Sequence, residues 1–272
     1  MHTLSRFSIP ATFLKRSVAA LCLSAGVLMS QFAAATTVQF QTVMGNFEVN
    51  LYDKTTPKTV ANFLAYVNAN AYTNTVIHRS VSGFIVQGGG FKYVTTDKLE
   101  AITPNAAVEN EPVYSNVRAT ISMAKTPNNP NSATNQWFIN LADNSGNLDK
   151  QNGGFTAFGE VTGGMDVVLA IANLTRFNFN GSFTEIPLRN YSAADYTAKK
   201  PVTNENFVVI ERVIVLNADP DTAASLNPAK NTLITEKSGG GSGNISLLSL
   251  LVLGLFALGA LAVRGKNLLN KA

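Results

Sequence analysis

Apolar residues between Val38 and Leu216 recur at alternate positions in short runs that end at glycine or asparagine. Val38-Gln-Phe40-Gln-Thr-Val43 and Phe47-Glu-Val49-Asn-Leu51 show the pattern and predict two half-buried strands joined by a turn at Gly45-Asn46. A period of two leaves each strand with one apolar face, which a chain of many short strands can bury by closing its sheet on itself. A helical period occurs in two places. Thr56-Pro57 places a cap residue before a proline at the first helical position, and Val60, Phe63, Leu64 and Val67 follow on one face, ending near Asn70. Gly164 opens the second, with Met165, Val168, Leu169 and Ala172 on one face. Phe207-Val-Val-Ile210 and Val213-Ile-Val-Leu216 close the series as strand. The expected fold is mainly β: a closed barrel with helices over its ends and no internal repeat.

The two ends of the chain read differently. Residues 1–35 carry Arg6, Lys15 and Arg16 and no acid, then the apolar run Val18–Met29 and Ala33-Ala34-Ala35, the layout of a secretory signal peptide. The single cysteine, Cys22, lies in that run and follows Leu21 instead of the small residue of a lipoprotein signal, so the exported chain has no thiol and no disulfide. At the other end, residues 219–244 form a polar, glycine-rich linker with Ser238-Gly-Gly-Gly-Ser-Gly243, and 245–263 is an uncharged apolar run. At 1.5 Å per residue that run nearly matches a bilayer core of about 30 Å. Arg264 and Lys266 open a basic tail, 264–272, expected on the cytoplasmic side. Glycine cluster, span and tail together resemble the GlyGly-CTERM sorting signal of Gram-negative bacteria, which implies a rhomboid-type protease as partner. A permanent inner-membrane anchor is the alternative. The working domain, 36–218, is thus expected in the periplasm.

The formal charge of +4 belongs to these ends. Their six bases, taken from 21, leave 15 in residues 36–237 against all 17 acids, a net charge of −2. A nucleic-acid partner is not expected, because phosphate binding needs clustered Lys and Arg.

The residue types present exclude most catalytic chemistries. The domain holds one histidine, His78, and no cysteine; there is no Gly-x-Ser-x-Gly elbow and no metal-ligand spacing. Gly88-Gly89-Gly90 is not a phosphate loop, since no Gly-Lys-Ser/Thr follows. No metal, cofactor or covalent intermediate is expected. What remains is one arginine amid apolar and amide residues, in Ile77-His78-Arg79-Ser-Val-Ser-Gly83-Phe84-Ile85-Val86-Gln87-Gly88-Gly89-Gly90-Phe91. This stretch resembles the signature of the cyclophilin family of peptidyl-prolyl isomerases. Ile121–Thr126, Ser132–Asn140 and Phe158–Val161 are similar to three further cyclophilin blocks in the same order.

The resemblance covers about Val38 to Leu216 and implies an eight-stranded antiparallel barrel capped by two helices. It also implies the site. Arg79 would be the catalytic residue; Phe84, Ile85, Phe138, Leu148 and Phe155 would line an apolar slot for the proline ring, although Phe84 and Phe138 can also be read as barrel core. Gln87 would hydrogen-bond the substrate carbonyl, while Ala124, Lys125 (through its backbone), Thr126 and Gln136 would line the groove for residues before the proline. His78 is read as structural and Trp137 as packing. Several positions depart from the family: Ser82 stands for a proline, Ile85 for a methionine, Asn147 for Trp or Phe, and Phe155 for His or Tyr. The Asn147 change is expected to weaken cyclosporin-type binding more than turnover. Residues 173–206 are longer than usual and would either set substrate preference or cover a barrel end. The implied activity is cis–trans isomerisation of X–Pro bonds in exported client polypeptides, by a monomer. The alternative is a non-catalytic proline-peptide-binding module or holdase.

Overall fold

The computed structural model describes residues 36–95, 98–218 and 222–234. The expected signal peptide (1–35), span (245–263) and basic tail (264–272) lie outside them. Among the described residues no helix is long and apolar enough to cross a membrane.

The chain opens with the hairpin β1 (Thr37–Thr42) and β2 (Gly45–Leu51), followed by α1 (Pro57–Asn68). Five short strands come next: β3 (Thr75–Val76), β4 (Arg79–Val81), β5 (Ile85–Gly88), β6 (Phe91–Thr95) and β7 (Lys98–Ala101). After a long irregular stretch come β8 (Thr120–Met123), β9 (Trp137–Asn140), the single turn α2 (Ser145–Leu148), β10 (Ala157–Gly163) and α3 (Met165–Ala172). An arm carries β11 (Arg176–Phe177), β12 (Ile186–Pro187) and α4 (Ala193–Thr197) before the last strand, β13 (Val209–Asn217).

The main sheet runs β4-β5-β9-β8-β10-β2-β1-β13-β3-β6-β7, with antiparallel pairing between its neighbouring strands. Its closure is covalent. β3 pairs with β13 and β4 with β5, yet β3 and β4 are two parts of one continuous segment, Thr75 to Val81. Between them Ile77 N–H donates to Val208 O (3.0 Å) and His78 N–H to Gln87 O (3.2 Å), so the segment hands over from one neighbour to the other. Counted as one strand, it completes an eight-membered ring with β5, β9, β8, β10, β2, β1 and β13, the expected barrel. The β6–β7 hairpin extends outward from β3.

Side chains alternate across this ring. Val38, Phe40, Phe47, Val49, Val86, Ile121, Met123, Trp137 and Ile139 point inward and form one core with Val60, Phe63 and Val67 of α1 and Val168 and Ile171 of α3. Phe40 stacks on Phe47 (4.5 Å) and meets Trp137 edge-on (4.9 Å). Trp137 is therefore packing, as expected. The glycine triplet makes room for it, since a Cβ on Gly88 would come within 2.8 Å of the indole.

Four local expectations shift. The first turn lies at Val43-Met44, two residues earlier than expected, because Thr42 pairs with Gly45. The Thr42 hydroxyl donates to Gly45 O and accepts from Met44 N–H, closing the turn inside the hairpin. The α1 N-terminus is capped from a distance: the Thr56 hydroxyl turns back to Tyr52 O, and the Glu111 carboxylate accepts from the N–H groups of Lys58 and Thr59. In α3 the buried face is Val168, Ile171 and Ala172, with Met165 and Leu169 only half-buried. Finally, the described part of 219–244 is docked and not free-running. Ser115 N–H donates to Ala229 O (2.8 Å), Asn231 N–H to Val113 O (2.9 Å) and Asn231 Nδ2 to Asp149 O (3.0 Å).

Candidate active site

Strand register builds the site on the outer face of the ring. Arg79 faces Gln87, Gln87 faces Phe138 and Phe138 faces Ser122 across β4, β5, β9 and β8. Directly opposed residues share a face, so Arg79 and Phe138 stand on one surface, two strand spacings or about 10 Å apart. In the adjoining row, Val81 faces Ile85.

The expected slot residues gather into one cluster apart from the barrel core: Ile85, Ala124, Phe138, Leu148 and Phe155 are buried, with Val81 and half-buried Phe84 against them. Phe138 and Phe155 meet edge-on at 5.9 Å. Phe138 thus packs in this cluster and not in the barrel interior. Phe84 is placed by a tight turn: its N–H donates to Val81 O (3.0 Å), and Gly83 takes φ +66°, a conformation suited to glycine. Ser82 is exposed in that turn, and Asn147 is exposed beside Leu148.

The groove residues are less alike than their spacing suggests. Ala124 belongs to the slot cluster, and its N–H donates to Gln136 O (2.9 Å). Thr126 is half-buried, with its N–H spent on the Ser132 hydroxyl (2.8 Å). The side chain of Lys125 curls under the slot: Nζ lies 4.6 Å from the Phe155 ring and donates to Asn152 O (2.8 Å) and Gly154 O (2.5 Å). Burial pushes its ammonium down to about 7. Its side chain therefore holds the 149–154 loop, a role that spacing could not reveal.

Arg79 is 1% exposed and heads a relay of amides. Its Nη1 donates to Gln87 Oε1 (3.1 Å), and Gln87 Nε2 donates to Gln136 Oε1 (2.8 Å). Nη2 is buried with no hydrogen-bond partner. Nε lies 3.5 Å from the Glu185 carboxylate. Burial pushes the guanidinium down to about 10, with the Glu185 charge acting against the fall, so it remains cationic at neutral pH. His78, fully buried and edge-on to Phe91 (5.0 Å), is pushed down to about 3 by burial and then by the Arg79 charge. A neutral imidazole in this position is structural. Among the described residues no three His, Asp or Glu side chains converge to hold a metal.

Glu185 was not among the expected site residues. Its one signal in the sequence is that it is the only acid between Asp166 and Asp195, set between the apolar Phe183 and Ile186.

The family model described as "Cyclophilin type peptidyl-prolyl cis-trans isomerase/CLD" matches residues 37–192. The chain belongs to this family. A peptidyl-prolyl cis-trans isomerase of Acinetobacter baylyi is 39% identical over 181 residues, 65% of this chain and 87% of that protein. The isomerase A of Dickeya dadantii is 40% identical over 179 residues, covering 64% and 92%. Isomerase B of Escherichia coli is 40% identical over 135 residues, covering 48% and 80%. A cyclophilin crystal structure from Cryptosporidium parvum aligns with a TM-score of 0.48 at 23% identity, over 67% of this chain and 98% of that one. By the family model and these curated relatives the molecule is a cyclophilin-type peptidyl-prolyl cis-trans isomerase.

Proposed function

We propose that Arg79 catalyses X–Pro rotation while the cluster of Ile85, Phe138, Leu148 and Phe155 holds the proline ring. The observation that carries this reading is the buried, unpartnered Nη2 of Arg79 on the same face as that cluster. Amide resonance sets a rotation barrier of about 18–20 kcal/mol, and no bond need break to cross it. In the twisted amide the prolyl nitrogen regains its lone pair and can accept a hydrogen bond; in the planar amide it cannot. A donor fixed at that nitrogen stabilises the twisted form selectively and lowers the barrier. Gln87 orients the donor through Nη1 and keeps a second Nε2 hydrogen for a substrate carbonyl. The strand groove beside Ala124, Lys125, Thr126 and Gln136 takes the residues before the proline. His78 moves no proton.

The setting we propose is the periplasm. Its support is the basic and apolar 1–35 segment, the glycine cluster, the 245–263 run and the basic 264–272 tail. Clients would be exported polypeptides whose X–Pro bonds limit folding, served by a monomer held at the inner membrane or released by a rhomboid-type protease. Intact mass of the protein from cells distinguishes the two fates. Cis–trans exchange of an Ala-Pro peptide, measured for the full chain and for Arg79→Ala, tests the chemistry. Equal rates would refute the role of Arg79, and no acceleration by either would leave a binding module or holdase.

A further inference from the structure

The arm between α3 and β13 does more than cover the ring. Phe177, Phe183, Ile186, Leu188 and Tyr191 form a core with Val76 and Phe207, and Phe183 meets Phe91 of the β6 strand at 4.8 Å. This core delivers β12 to the edge of β4, where Ser80 N–H donates to Glu185 O (2.8 Å). The backbone of Glu185 is thereby fixed beside the residue that follows Arg79. Its carboxylate comes to 3.5 Å from Arg79 Nε.

We propose that Glu185 is a positioning residue for Arg79, one that makes the arm part of the isomerase's active site. The inference rests on Arg79 being the catalytic donor. A guanidinium is a rigid plane, and two contacts in that plane fix its orientation. Gln87 holds Nη1 and Glu185 holds Nε, from elements on opposite sides of β4. The remaining group, Nη2, is the one left without a partner. Without Glu185 the plane can rotate about the Nη1–Gln87 contact, and Nη2 loses its aim. Glu185 is 37% exposed, so water weakens but does not remove the pull of its carboxylate on Nε, a pull that the neutral amide of a glutamine lacks. Because the backbone bond to Ser80 and the apolar anchors place the segment, the carboxylate itself is not needed for folding.

The test compares the full chain with Glu185→Gln on Ala-Pro exchange, with Arg79→Ala as reference. The Gln protein should lose about three- to tenfold in kcat with KM unchanged and the same melting temperature. The Arg79 Nε–Hε NMR signal, resolved and protected in the parent, should broaden or exchange in the variant. Wild-type kcat in Glu185→Gln overturns the proposal, as does a loss confined to KM, a loss of kcat with an unchanged Nε–Hε signal, or a variant that fails to fold. An inactive parent, or an Arg79→Ala protein as fast as the parent, would instead overturn the assignment on which the proposal rests.

Discussion

On one side of the site, Ile85, Phe138, Leu148 and Phe155 pack among themselves, and the loop behind them is tied at nearly every carbonyl. Lys125 serves Asn152 O and Gly154 O, Asn110 serves Gly153 O and Gly154 O, and Asn231 serves Asp149 O. On the other side, Arg79 is equally buried but carries an unpartnered Nη2. Buried polar groups are ordinarily paired, because an unmade hydrogen bond costs about 1–3 kcal/mol. The slot is thus built for shape and stability, whereas the arginine side gives up stability to keep one donor in reserve. On the function proposed above, that contrast separates binding from turnover.

The largest effect should come from Arg79→Lys. A lysine keeps the charge and loses the planar fork, so it cannot satisfy Gln87 and Glu185 together and still present a third donor. We expect exchange of an Ala-Pro peptide to slow by about 100-fold with little change in melting temperature. Phe155→Ala should do the reverse. Emptying that part of the slot costs about 3–5 kcal/mol of stability, read by denaturant unfolding, and raises KM more than it lowers kcat.

Lys125 supplies a pH test of the slot side. Burial holds its ammonium down at about 7 in the folded state, against the ordinary lysine value of 10.5 in the unfolded chain. Between those values the unfolded chain binds more protons, so stability rises as pH rises. Melting temperature should climb from pH 6.5 to 9, and Lys125→Met should flatten the slope. The smallest effect belongs to the turn before Phe84. With Gly83 at φ +66°, proline in place of Ser82 fits the preceding position, and Ser82→Pro should stabilise by about 0.4–1 kcal/mol without changing kcat.

Much of this was legible in the sequence because it depends on neighbours along the chain. Alternation in Val38–Leu51 marks strands whatever pairs with them, and Val60, Phe63 and Val67 mark a buried helix face. That Ile85, Phe138, Leu148 and Phe155 gather together, and that Arg79 lies beside Gln87, could be anticipated from the blocks similar to the cyclophilin signature. What escaped depends on partners far away in sequence. The ring closes at Ile77-His78, where the chain changes neighbours from Val208 to Gln87, and no local period records that step. Glu111 caps a helix 52 residues before it, and Lys125 answers to carbonyls 27 and 29 residues on. Composition made 219–244 look like a tether, yet Ala229 and Asn231 pair with Ser115 and Val113. Glu185 lies over 100 residues from Arg79, in an arm whose placement only the fold reveals.

The central claim is that the slot binds and Arg79 turns over. One titration of an Ala-Pro peptide, followed by NMR, reports both Kd and exchange rate for Arg79→Ala and Phe138→Leu. Arg79→Ala should keep Kd within about threefold while its exchange falls to background, and Phe138→Leu should weaken Kd while bound peptide still exchanges. If affinity and exchange fall together by the same factor in both proteins, the division of labour between the two walls is wrong.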